Sequence, residues 1–185
     1  GTFAIAPTPF HDDGRIDDGS IDRLVDFYGG IGCAGVTVLG ILGEAPKMDG
    51  AEAAAVATRF IKRAKSLQTV VGVSAPGFAA MRGLARASMD AGAAAVMIAP
   101  TPNLRTDDQI TTYFKQAVEA IGDDIPWVLQ DYPLTLSVVM TPAVIRSRIP
   151  ASSIAASAPA APGATTSLSI SMRSRSADRP ARPSR

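Results

Sequence analysis

The segment AVMIAPTPNLRTDDQITTYFKQAVEAIGDDIPWVLQ, Ala95 to Gln130, sets the architecture. It opens on Ala95–Ala99 and closes on Trp127–Gln130, two apolar runs too short for helices and bounded by helix-breaking residues. Between them, Thr106 and Gln109 have the spacing of a capping box ahead of Ile110, Phe114, Ala117, Val118 and Ile121, which share one helix face. Gly122 then stands where a C-terminal cap belongs. Neither apolar run alternates with polar residues, so both strands are expected to be covered on two faces. Two such strands joined by a helix-long crossover pair in parallel.

The same unit repeats toward the amino terminus. Phe3–Ala6, Val36–Leu39 and Val70–Val73 read as further buried strands. After the first, Ile21, Leu24, Val25 and Tyr28 form a helical stripe that Gly29-Gly30 stops. After the second, Asp49 and Glu52 make a capping pair ahead of Val56, Phe60 and Ile61. After the third, Met81, Leu84, Ala85 and Met89 line a helix that ends at Gly92. Thr141-Pro142 opens a fifth helix ahead of Ala143, Val144 and Ile145. Five strand-helix units at intervals of roughly 25 to 35 residues mean an α/β parallel sheet, either an open wound sheet or part of an eight-fold barrel. No Gly-x-Gly-x-x-Gly follows the first strand, which weighs mildly against a dinucleotide-binding sheet.

The chain of 185 residues is 46% hydrophobic, enough for a sizeable soluble core. Cys33 is its only cysteine, which excludes an intrachain disulfide and suits a reducing compartment. With neither a secretory signal nor an apolar run of membrane-spanning length in the sequence, a cytoplasmic location without membrane association is expected. The first residue is Gly, so a few residues are expected to precede it.

The net charge of +1 hides a division. From Arg146 onward seven arginines face Asp178 alone, a sum of +6, while the first 145 residues carry eleven bases against sixteen acids, a sum of −5. From Ser147 to Arg185, roughly three quarters of the residues are Ser, Ala, Arg or Pro and none is aromatic. Such a segment buries too little apolar surface to offset its ordering entropy. Residues 1–146 are therefore read as the barrel-type domain, and 147–185 as an unpatterned tail, disordered or translated in a shifted frame, since its commonest residues have G+C-rich codons. The arginine-rich stretch 173–185 could touch nucleic acid or another polyanion, but without an aromatic platform or folded motif, accidental basicity is the simpler reading.

In a parallel barrel, reacting groups gather at the carboxyl ends of the strands. Here those ends are Thr8-Pro9-Phe10, Gly40 to Glu44, Ser74 to Pro76, Pro100 to Pro102 and Gln130 to Pro133. The two glycines that bracket Gly40-Ile41-Leu42-Gly43-Glu44 allow backbone N–H groups to turn toward an anion, although an ordinary strand-to-helix turn has the same form. Asp131 and Tyr132 are the catalytic candidates: a carboxylate beside a phenol could orient a substrate hydroxyl or take a proton, or could cap a turn. Glu44 reads as a loop-holding acceptor of backbone hydrogen bonds, and His11 as part of a solvated turn. No cluster of His, Cys or carboxylates has metal-ligand spacing.

Thr8-Pro9-Phe10 with Asp13-Gly14, Gly40 to Glu44, Pro100 with Asn103 and Phe114, and Asp131-Tyr132-Pro133 follow the order and spacing of the dihydrodipicolinate synthase and N-acetylneuraminate lyase family, which residues 1–146 resemble. The resemblance implies the first part of a TIM (β/α)8 barrel, about five of its units. It also implies a homo-oligomer and a class I aldolase mechanism without cofactor or metal, in which a lysine on the sixth strand forms a Schiff base with a pyruvate-type keto acid or sugar acid. It places substrate around Thr8, Gly40, Ile41, Leu42, Gly43, Glu44 and Gln130.

The sequence departs from that pattern. The family's sixth-strand lysine falls near Ala158, and the lysines present are Lys47, Lys62, Lys65 and Lys115. Ile41 and Leu42 stand where the family has two threonines, Gln130 and Asp131 where it has tyrosine and asparagine, and Pro102 where it has a second relay tyrosine. Gln130 is neither acid nor base near neutral pH, and Ile41 has no proton to pass on. A divergent lyase or dehydratase is therefore expected in place of a dihydrodipicolinate synthase in the strict sense, and the chain itself is expected to be inactive. The alternatives are a non-catalytic fragment, whose open sheet edges would promote aggregation, or a polyanion-binding protein with a basic tail. Reading the DNA after codon 146 in all three frames checks the tail: another frame is expected to continue the strand-helix rhythm, and the shifted-frame reading fails if none does.

Overall fold

The computed structural model describes residues 1–146 and 153–157. Six strands form one sheet, β1 Phe3–Ile5, β2 Gly35–Val38, β3 Gln68–Gly72, β4 Ala95–Ile98, β5 Trp127–Asp131 and β6 Ser153–Ser157. They lie in sequence order, and every neighbouring pair is parallel. This order settles the choice between an open wound sheet and a barrel. Right-handed crossovers that always advance in one direction put every helix on the same face, whereas a doubly wound sheet reverses direction midway. The sheet is a curled part of a barrel, with the helices on its outside.

The five expected units are present. Helices α1 Asp18–Gly30, α2 Gly50–Arg63, α3 Phe78–Ala91 and α4 Asp107–Ile121 alternate with the first five strands, and the short α5 Pro133–Leu136 and α6 Pro142–Arg146 follow β5. Both capping boxes form. The Asp49 carboxylate accepts from the N–H groups of Ala51 and Glu52 while Glu52 accepts from the N–H of Asp49, and Thr106 and Gln109 exchange bonds in the same way. Gly92 and Gly122 end α3 and α4 with φ of 106° each, a value that favours glycine. At α6, the Thr141 hydroxyl accepts from the Val144 N–H at 3.3 Å and donates to Asp107 at 2.6 Å.

Strand β6 was not expected. It pairs with β5 from Trp127↔Ser153 to Asp131↔Ser157, inside the segment read as an unpatterned tail. Its residues, Ser-Ile-Ala-Ala-Ser, carry one large apolar side chain, too weak a pattern to separate from its surroundings; the ladder with β5 supplies what periodicity lacks. The remainder of the tail expectation, residues 147–152 and 158–185 with the basic stretch 173–185, lies outside the described residues.

Strands β2 to β4 and the first part of β5 are buried on both faces. Val36, Val38, Val71, Val73, Val96, Ile98, Trp127 and Leu129 face the helices, and pack on Ile21, Val56, Phe60, Met81 and Phe114. Phe3, Val70, Ala95, Met97 and Val128 form a second cluster on the inner face. The alternation explains why each strand reads as an unbroken apolar run. On the outside, bidentate arginine-carboxylate pairs tie neighbouring elements: Arg59 to Asp22 at 2.8 and 2.6 Å, Arg63 to Asp26, and Arg86 to Asp124 at 2.8 and 2.9 Å. Being partly solvated, they add register more than stability.

One close approach carries the β2 end. A Cβ on Gly72 would stand 2.1 Å from the carbonyl oxygen of Leu39 and 2.7 Å from its carbonyl carbon, so only glycine lets that loop lie over β3. Gly72→Ala is expected to cost ~1–3 kcal/mol through backbone displacement. Gly83→Ala, on α3 where a Cβ meets nothing within 4 Å, is expected to stabilise by ~0.5–1 kcal/mol. Urea midpoints of the two variants check both signs.

Candidate functional site

The carboxyl ends of β2, β3, β4 and β5 surround a cavity of about 730 Å³. Its making starts at Leu39, which leaves β2 with φ of 54°. That left-handed step, rare for a leucine, turns the chain sharply out of the sheet. Gly43 completes the turn, because a Cβ there would lie 2.8 Å from the Leu39 nitrogen. From β1, the buried Thr8 hydroxyl donates to the Gly43 carbonyl at 2.7 Å and fixes the loop from below. Glu44 closes it with φ of 56°. At the far wall, Ser74 accepts from the Ala99 N–H at 2.8 Å and ties the β3 end to the β4 end. Behind that wall the Tyr113 hydroxyl donates to the Ala99 carbonyl at 3.1 Å, and burial pushes the phenol up to about 12, out of any acid-base role near neutral pH.

The residues singled out from sequence divide by position. Gly40, Ile41 and Gln130 line the cavity. Thr8 and Gly43 shape it without being part of its lining, and Leu42 is 55% exposed. Glu44 does not hold the loop by accepting backbone hydrogen bonds as expected; its carboxylate pairs with Lys47 at 2.5 Å, because the left-handed backbone turns the side chain toward solvent. His11 lies exposed in the turn between Phe10 and Ile16, as read from sequence.

Asp131 and Tyr132 fall outside the cavity lining. Along β5, Val128 faces inward and Trp127 and Leu129 face the helices. Alternation then puts Gln130 with Val128 and Asp131 with the helix-facing set. One Asp131 oxygen is buried without a hydrogen-bond partner, and burial raises the carboxyl above its ordinary value. Tyr132, half-buried, precedes α5. Among the described residues, two more buried polar atoms lack partners, the Thr37 hydroxyl and the Trp127 indole nitrogen.

Sequence reading missed the helical side of the cavity. Met48, Ala53 and Ala54 on and before α2, with Ala80, Gly83 and Leu84 on α3, form its outer wall. The signal was present in the Ala and Gly positions at the starts of both helices, too small to fill the space between them. Among the described residues no lysine lines the cavity: Lys47 is paired with Glu44, and Lys62, Lys65 and Lys115 are exposed. No group of three His, Cys, Asp or Glu among these residues could hold a metal ion, and no helix is long and apolar enough to cross a membrane.

Comparison with known proteins places this arrangement. A family model described as the dihydrodipicolinate synthetase family matches residues 1–166. The 4-hydroxy-tetrahydrodipicolinate synthase of Nitrosococcus oceani is 29% identical over 147 residues, 78% of this chain and 50% of the relative. That of Pseudomonas putida is 30% identical over 135 residues, 72% and 46%. Among solved structures, a dihydrodipicolinate synthase from Rhodopseudomonas palustris shares 84% identity with a TM-score of 0.77, over 79% of this chain and 48% of that one. A chloride-inhibited dihydrodipicolinate synthase from Acinetobacter baumannii, complexed with pyruvate, shares 25% identity with a TM-score of 0.71, over 78% and 50%. The chain spans about half the length of these relatives.

Asp131 gives the site a pH signature. Its folded-state pKa lies above the unfolded value, so its ionisation costs stability as pH rises through that window. Asp131→Asn is expected to raise the urea midpoint at neutral pH, with the advantage fading as pH falls below the ordinary carboxylate value. Paired unfolding curves at about pH 3 and pH 7 measure the difference.

Proposed function

Because the chain belongs to the dihydrodipicolinate synthetase family, we propose that its cavity is the binding half of a Schiff-base lyase site for pyruvate-type keto acids or related sugar acids. The backbone N–H groups of the Gly40–Gly43 loop would meet the substrate carboxylate, where two glycines permit close approach. Gln130 would donate to a substrate carbonyl or hydroxyl and carry no proton away. Ile41 and Leu42 leave the loop without a hydroxyl relay. Asp131 and Tyr132 remain the candidates for proton transfer. Neither lines the cavity, and Asp131 stands behind Gln130, so a proton passing between it and substrate would cross an intervening water.

The covalent half is the amine. A neutral, desolvated lysine is what attacks the keto group in this chemistry. Within these 185 residues no lysine follows Lys115, and no described lysine reaches the cavity. We therefore assign this chain keto-acid binding without turnover. The observation that carries the assignment is the cavity at the strand carboxyl ends, with Gln130 facing it and, among the described residues, no amine in its wall.

Incubation with pyruvate and borohydride, followed by mass spectrometry of the whole chain, tests both parts. Reversible binding of pyruvate by calorimetry with no reduced covalent adduct is the expected result. A stable adduct overturns the assigned silence, and absence of binding overturns the site.

A further inference from the structure

We draw no further inference here: the strongest candidate, the exposed apolar patch of Phe27 and Ile31 at the carboxyl end of α1, carries nothing because no feature of the structure shows what covers it.

Discussion

The carbonyl of Leu39 occupies the space that a side chain on residue 72 would need. Everything at the mouth of the sheet depends on that contact. Because Gly72 yields the space, β2 can end one residue early in a left-handed turn, and the loop can fold inward over β3 and not rise straight into α2. Thr8 then reaches across from β1 to hold Gly43. Three strands are thereby committed to the geometry of one five-residue loop, and the cavity beneath α2 and α3 is the space this commitment leaves.

Parity decides what the cavity contains. A strand delivers alternate side chains to opposite faces, so a single step along β5 separates Gln130 in the cavity from Asp131 behind it. The consequence is chemical. The group presented to a ligand is an amide, able to donate and accept hydrogen bonds but not to exchange a proton near neutral pH. The group whose pKa burial has raised stands on the far side, without a hydrogen-bond partner for one oxygen. Apolar walls, an amide and, among the described residues, no amine are what the cavity presents.

The outer layer follows a plainer rule. Each helix turns its apolar stripe to the sheet, and the ties between helices are left to arginine-aspartate forks at matching positions, Asp22 with Arg59 and Asp26 with Arg63 one turn later. Two forks one helical turn apart fix the slide of α2 along α1 as well as its distance, which a single pair would not. The position of α2 matters to the site, since Ala53 and Ala54 on it form the outer cavity wall.

The elements and their order are written locally in the amino-acid chain. Capping pairs at Asp49 and Thr106, glycines at 92 and 122, and apolar runs covered on both faces are local signals, and each requires only its own neighbours to act. From them the parallel sheet and the strand ends near Thr8, Gly40 and Gln130 were legible. Strand β6 was not, because Ser153–Ser157 is held by the ladder with β5 and not by a pattern of its own. Nor was the absence of Asp131 from the cavity lining, the pairing of Glu44 with Lys47, or the wall formed by α2 and α3. These belong to the tertiary structure for one reason: which face a strand end presents, and which two helices leave a gap, are set by contacts between residues far apart in the chain, where no local periodicity reaches.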